Sequence, residues 1–443
     1  MRRKAFSIVL LFFLNAAAIK VIGQETAKPI TLDEVIASAV TNNRAVQLAK
    51  QDESIASSNF KQTEAVFLPQ VGLSYTAMST NNPLNAFGFK LQQKSITQMD
   101  FNPDLLNHPS GTPDFTTKVE VMQPLVNMDA LYMRKGAQKQ IEIYQLKTQR
   151  TKEYITFEAQ RAYLQLQLAY DAVKVLEEAL ETTKAVYKFT DDHYKQGLIQ
   201  QSDVLNVQVQ VATIETNLAT AKSNIKNASD YISLLMGVPT GTVYSVDSNV
   251  ATAISGNDTI VTVPATRADF VAMQRAIDAS NLMIQSSKMS YLPRLNAFGS
   301  YQLNDSRMLG FGANAYLAGV QLSWDIFKGN RTKNTITTQT LERNKLSAQL
   351  AQQQEQSSLE LNKTRRDIAN AQYEISQHKT AIEQATESLR ILRNRYEQGL
   401  VNTTDVMMAT TQLSQQKLAL AQATCNQQIS KAYLQLLTTS VNK

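Results

Sequence analysis

Between Ala137 and Gln196, and again between Asn330 and Gln398, no Gly or Pro interrupts the chain. Apolar residues recur through both stretches at seven-residue spacing. Leu166, Val173, Leu180, Tyr187 and Tyr194 form one series, and Ile368, Ile375, Ile382, Leu389 and Tyr396 the other. Such a period is a coiled-coil seam. Uninterrupted helices over these spans would be roughly 90 and 100 Å long. A second stripe (Leu164, Leu168, Ala172, Val175, Ala179, Val186) lies on another face of the first helix. Two seams predict two packing partners, as in a closed array of helices. Gly197 and Gly399 suit left-handed positions at the helix C-termini. Ser202 or Asp203, and Thr404 or Asp405, can cap returning helices expected over about 203–236 and 405–438.

A two-residue period appears elsewhere. Val71, Leu73, Tyr75 and Ala77 alternate with Gly72, Ser74 and Thr76. Val119 and Val121 alternate with Lys118 and Glu120. Leu295, Ala297, Gly299, Tyr301 and Leu303, then Tyr316, Ala318, Val320 and Leu322, alternate with mostly polar neighbours. Four strands with one apolar face suit a lipid-facing barrel with a wet interior. They suit a soluble sheet packed on the helices equally well. Four are too few to close alone, since small barrels start at about eight strands.

The pattern occurs twice. Residues 193–205 (HYKQGLIQQSDVL) and 395–407 (RYEQGLVNTTDVM) align at a constant shift of 202, which continues to Tyr231 and Tyr433. Leu68-Pro69 and Leu292-Pro293 align at a shift of 224. The extra residues fall in the Asn- and Pro-rich stretch 81–113, read as a long loop. The expected organisation is a first repeat over 24–236, with strands near 69–80 and 114–123 and a helical hairpin near 127–236. A linker over 237–264 follows, expected to be irregular and packed outside the helices. The second repeat covers 265–443, with strands near 293–304 and 314–324 and a hairpin near 331–438.

Charge and composition narrow the function. Lys and Arg number 44 against 38 Asp and Glu, a net charge of +6. Arg2, Arg3, Lys4 and Lys20 lie in a leader without acids, so the remainder is near neutral and gives no sign of nucleic-acid binding. Residues 1–23 read as an export signal, with a basic start, an apolar run from Phe6 to Ala18 and a cut before Gln24; an uncleaved anchor is the alternative. The run is short of the ~20 residues a spanning helix needs. There is one cysteine, Cys425, expected to be a small buried residue, and hence no disulfide framework. His108, His193 and His378 lack metal-ligand spacing. No nucleophile motif, phosphate loop or dinucleotide fingerprint is present. These observations point away from an enzyme and call for no cofactor.

The duplicated unit, the Leu-Pro entry to each strand pair and the Tyr-x-x-Gly-Leu…Asp-Val tip in both halves together resemble the TolC family of outer-membrane efflux proteins. Gln123-Pro124-Leu125 and Trp324-Asp325-Ile326-Phe327 resemble its strand-to-helix junctions, with Asp325 in place of the usual Pro. The resemblance implies a mainly α fold with a membrane β-barrel: a homotrimer with twelve strands in outer-membrane lipid and twelve helices forming a periplasmic tunnel. It implies passive conduction from an inner-membrane pump, through a periplasmic adaptor, to the exterior, in tripartite efflux or type I secretion. By matching position, Gln196, Gly197, Leu198, Gln398, Gly399 and Leu400 are adaptor-docking tips, and Asp405, Met408, Tyr396 and Asp203 belong to the pore constriction. Met408 stands where the family carries a second acid, and Val401 where it carries a base. On the residues alone, the tip leucines also suit an apolar contact closing each turn, and Asp405 suits a cap. Loop 81–113 would lie at the outer surface. A periplasmic adaptor and a structural envelope coiled coil are the competing readings. The cargo is not legible.

Overall fold

A computed structural model describes residues 27–246 and 262–441. The expected export signal and the middle of the linker lie outside them. Each repeat follows one plan: short helix, strand, strand, long helix, returning helix. The first begins with α1 (Leu32–Asn42) and α2 (Arg44–Gln62), preceded by a two-residue strand β1 (Lys28–Pro29). Then come β2 (Gln70–Thr80), α3 (Pro83–Gln92), α4 (Pro103–Asn107), β3 (Thr112–Val126), α5 (Met128–Lys195) and α6 (Gln201–Met236). β4 (Tyr244–Ser245) pairs in parallel with β1. The second repeat is α7 (Ala268–Met289), β5 (Arg294–Asp305), β6 (Ala313–Ser323), α8 (Arg331–Glu397) and α9 (Thr403–Thr438).

Helices α5 and α8, of 68 and 67 residues, are each about 100 Å long. The two faces of α5 find different partners. Leu166 and Val173 pack with Leu218, Ile225 and Ile232 of α6 and with Val35 and Ala39 of α1. Phe157 and Leu164 pack against Cys425, Ala432 and Leu436 of α9. Tyr231 donates to Glu158 Oε2 at 3.0 Å, and the repeat-equivalent Tyr433 donates to Glu360 Oε2 at 2.9 Å. The 202-residue shift is thus a duplication of contacts.

The short helices complete the long ones. Asn43, after α1, donates to the Leu235 carbonyl at 2.9 Å, so α6 and α2 stack end to end along α5. Gly237 closes α6 at φ +70, and a Cβ there would sit 2.7 Å from the Asn42 carbonyl oxygen. Helices α1, α2 and α7 lie outside the elements expected from the periodicity. Two signals were present. Thr31 and Glu34 form a reciprocal capping box, and α2 falls on α7 at the shift of 224.

The strands form one antiparallel sheet in the order β2-β3-β5-β6. Register places Leu73, Val119, Tyr301 and Tyr316 in one row across it, and Val71, Val121, Gly299 and Ala318 in another. The opposite face carries Ser74, Thr76, Ser300 and Gln302, with Lys118 and Glu120 ion-paired. Trp324 is exposed at a strand end and donates from Nε1 to the Tyr291 carbonyl at 2.9 Å. Stretch 81–113, expected as a loop, carries α3, α4 and a 3₁₀ turn over Gln98–Phe101. Of the linker, residues 237–242 are exposed and 243–246 pack on the helices: Tyr244 is buried and its carbonyl accepts from the Tyr170 hydroxyl at 2.7 Å.

Cys425 is buried in the α5–α9 seam, and burial, with a smaller contribution from the Asp171 charge, pushes its thiol up to about 11. A thiolate-directed reagent at pH 8 is expected to leave the folded protein unlabelled and to modify it fully in denaturant, as read by intact mass.

Candidate functional site

The tip of each hairpin is built by one capping device used twice. Gly197 adopts φ +76 and Gly399 φ +72. Gly197 N donates to the Tyr194 carbonyl at 2.8 Å and Leu198 N to that of His193 at 2.9 Å. The same pair recurs from Gly399 to Tyr396 and from Leu400 to Arg395, both at 2.9 Å. This is the Schellman arrangement, in which a left-handed glycine lets two amides satisfy the last helical carbonyls. Its usual apolar contact is missing, for Leu198 is 64% exposed and Leu400 65%. Gln196 and Gln398 precede the glycines as the C-caps of α5 and α8.

The returning helices start earlier than expected. Gln200 and Asn402 are the N-caps, and Asp203 and Asp405 sit at the third helical position. Asn402 Oδ1 accepts from Asp405 N at 2.9 Å while the Asp405 carboxylate accepts from Asn402 N at 3.4 Å. Asp203 takes the equivalent bond from Gln200 N at 3.3 Å. Neither aspartate is the N-cap itself. Each carboxylate uses one oxygen in a capping box, beside the positive end of a helix dipole. Asp405 and Met408, three positions apart, share a helix face, and Met408 is 67% exposed.

Tyr396 lies in the core of the tip. It is 8% exposed and packs with Val186, Val207 and Val406 between the two hairpins. Its ring lies 4.9 Å from that of Phe189. Thr190 gives its proton to the Val186 carbonyl at 2.7 Å, so it accepts from the Tyr396 hydroxyl at 2.7 Å. Thr403 is then the donor to Tyr396, at 2.9 Å. A single hydroxyl therefore ties α5, α8 and α9 together. The repeat-equivalent Tyr194 is partly exposed. Val401 joins the same tip core. His378 is half-buried, with Nδ1 2.9 Å from Gln416 Oε1. Sequence reasoning missed Thr190 and Thr403, because their role depends on a partner hundreds of positions away or on the cap geometry.

Solved structures share this architecture. CusC matches at 15% identity with a TM-score of 0.76, covering 92% of each chain. CmeC of Campylobacter jejuni matches at 13% and 0.75, covering 92% of this chain and 85% of that one. VceC of Vibrio cholerae matches at 16% and 0.73, with coverages of 93% and 97%. These likenesses establish the fold. No curated protein matches by sequence. Residues 35–238 and 260–440 match the family described as outer membrane efflux protein. The chain belongs to that family. As an outer membrane efflux protein it is an outer-membrane channel reaching into the periplasm. Its family works as homotrimers, with a periplasmic adaptor and an inner-membrane pump.

Tyr396→Phe removes two hydrogen bonds, a loss of about 1–3 kcal/mol. Amide exchange near Thr190 and Thr403 in this efflux protein is expected to speed up selectively, leaving the α5–α6 seam near Leu166 unchanged. Uniform exchange across both regions would show that Tyr396 does not clamp the tip.

Proposed function

We propose that three copies close one twelve-stranded barrel, and that the joined duct conducts cargo passively, with its resistance set at the tips. The observation that carries this is the open sheet. One face carries the apolar rows through Leu73 and Val71 and the other is mostly polar, with Met78, Met122 and Leu317 among its Ser, Thr, Lys and Glu, and among the described residues edges β2 and β6 each have a partner on one side only. In lipid an unpaired edge costs several kcal/mol per backbone group. Pairing β6 of one copy with β2 of the next removes every edge. Helix α8 supports the same reading. It buries six residues where α5 buries eighteen. Leu341, Leu359 and Tyr373 remain exposed on it, and neighbouring copies would cover them.

On this reading the Asp405 carboxylates form a ring of three near the axis, and the Met408 side chains line the same face. An acidic ring favours cations. The reading assigns the chain no bond-making step and no cofactor. Whether the duct serves drug efflux or polypeptide secretion is set by the pump that feeds it.

Purified trimer in a planar bilayer is expected to give single-channel steps with a cation preference, which Asp405→Asn lowers roughly twofold or more. Absence of any steps would overturn the channel reading. Unchanged selectivity and unchanged block by multivalent cations would overturn the acidic ring alone. Leu198 and Leu400 are the proposed adaptor contacts. An apolar side chain of this size contributes about 1.5–3 kcal/mol when buried. The double variant Leu198→Asp/Leu400→Asp should therefore weaken co-purification with the cognate adaptor at least tenfold, at unchanged melting temperature. Undiminished co-purification would place docking elsewhere.

A further inference from the structure

The two β-hairpins end differently. β5 and β6 are joined by residues 306–312, where Asp305 accepts from Arg307 N and Gly312 N, each at 2.9 Å. β2 and β3 are joined by residues 81–111, which fold into a small unit of their own. Asn82 caps α3 by accepting from Leu84 N at 3.1 Å and Asn85 N at 3.2 Å. Lys90 Nζ meets Asp100 Oδ1 at 2.5 Å. The rings of Phe87 and Phe101 meet edge to face at 5.8 Å, and Ala86 is buried.

This unit lies over the polar face of the sheet. By register Asp114, Asn304 and Ala313 belong to that face, and all three are buried. Ser74 and Thr76, on the same face but further from the insertion, are exposed. Gln93 Nε2, at the end of α3, donates to Asp114 Oδ1 at 2.9 Å and to the Pro113 carbonyl at 2.8 Å. Lys94 Nζ donates to Asn314 Oδ1 at 3.0 Å; Asn314 belongs by register to the apolar face, where it donates to the Tyr301 hydroxyl, so the end of the α3 segment wraps round the start of edge strand β6. The insertion leaves from β2, one edge of the sheet, and reaches β6, the other edge. It therefore spans the polar face at the loop end of the sheet, from the β2 edge across β3 to β6, yet leaves Leu84 80% and Leu91 54% exposed.

We propose that the three insertions of a trimer dock on one another, Leu84 of one copy against Leu91 of the next, and form a cap across the outer mouth of the barrel. This rests on the trimeric barrel proposed above. Barrel closure itself selects a second copy as the occupant. Where β6 of one copy meets β2 of the next, the neighbour's Leu84 follows closely on the end of β2 at Thr80. Leu91 lies just before Lys94, which is fastened to the start of β6. Dimensions agree. Twelve strands about 4.8 Å apart and tilted about 40° enclose a radius of about 12 Å. The ten residues of α3 make a helix about 15 Å long and about 10 Å thick. Three of them on the wet side fill that mouth.

The test uses full-length protein in intact cells, in a Cys425→Ser background. An oxidant added from outside should cross-link the double variant Leu84→Cys/Leu91→Cys into covalent dimers and trimers, and neither single variant. Separately, Ser300→Cys on the polar face should react with a membrane-impermeant cationic thiol reagent from outside. Leu84→Glu/Leu91→Glu should speed that labelling roughly tenfold by opening the lid. Native mass in mild detergent confirms the trimer in each sample. A verified trimer with neither cross-link nor faster labelling overturns the docking. Cross-links without faster labelling overturn the closure of the mouth. Absence of a trimer in the unsubstituted protein overturns the barrel reading instead.

Discussion

Everything in this chain is arranged around the burial of two faces of α5. Isolated helices gain little from hydrogen bonding alone and are stabilised in proteins mainly by packing. A 68-residue helix needs that packing along its length. Leu166 and Val173 supply it toward α1 and α6; Phe157 and Leu164 supply it toward α9. The second interface joins the two repeats, because α9 belongs to the other half of the chain. It works beside two other joints between the repeats, the packing of α7 on α5 and the pairing of β3 with β5. Joined in this way, the duplicated units form an array whose tips meet at Tyr396 and whose opposite ends place β3 beside β5.

The same logic leaves the chain incomplete in three places. The sheet has two open edges, α8 keeps apolar side chains in water, and the insertion after β2 does likewise. Each is a partner surface of matching sense, with one side leading to the next copy. A heterologous contact of this kind closes into a ring when its rotation allows, and a family of homotrimers supplies that closure. The unfinished surfaces are therefore what the assembly is made from.

Much of this was legible along the chain. The seven-residue series through Leu166 and Ile375 located the long helices, and the Tyr-x-x-Gly-Leu repeat located both tips, because those signals are local and periodic. The strands were equally plain, since Val71 to Ala77 alternates against polar neighbours. Short helices were harder. α2 is amphipathic over its 19 residues, yet nothing local shows that it meets the end of α6 through Asn43. The caps were misplaced because an aspartate in a capping box looks like an N-cap until its backbone is seen. The partners of Tyr396 carried no linear signal. The tyrosine matches Tyr194 in sequence, yet only Tyr396 reaches a threonine on the other hairpin.

That broken symmetry has an energetic consequence for gating. On the proposed reading, opening the tips requires each Tyr396 to give up its bonds to Thr190 and Thr403, about 1–3 kcal/mol per copy and about 3–9 for three. A partner shifts such an equilibrium only by the amount it prefers the open state. Leu198 and Leu400 are out in water at the ends of the same hairpins, six side chains in a trimer. Burying them in an adaptor is worth about 1.5–3 kcal/mol each, more in total than the clamp. An adaptor that seats these leucines fully only when the hairpins spread would open the duct, and one that seats them equally in both states would merely hold on. The placement of the clamp inside the tip and the leucines outside it is what makes the first kind of partner sufficient.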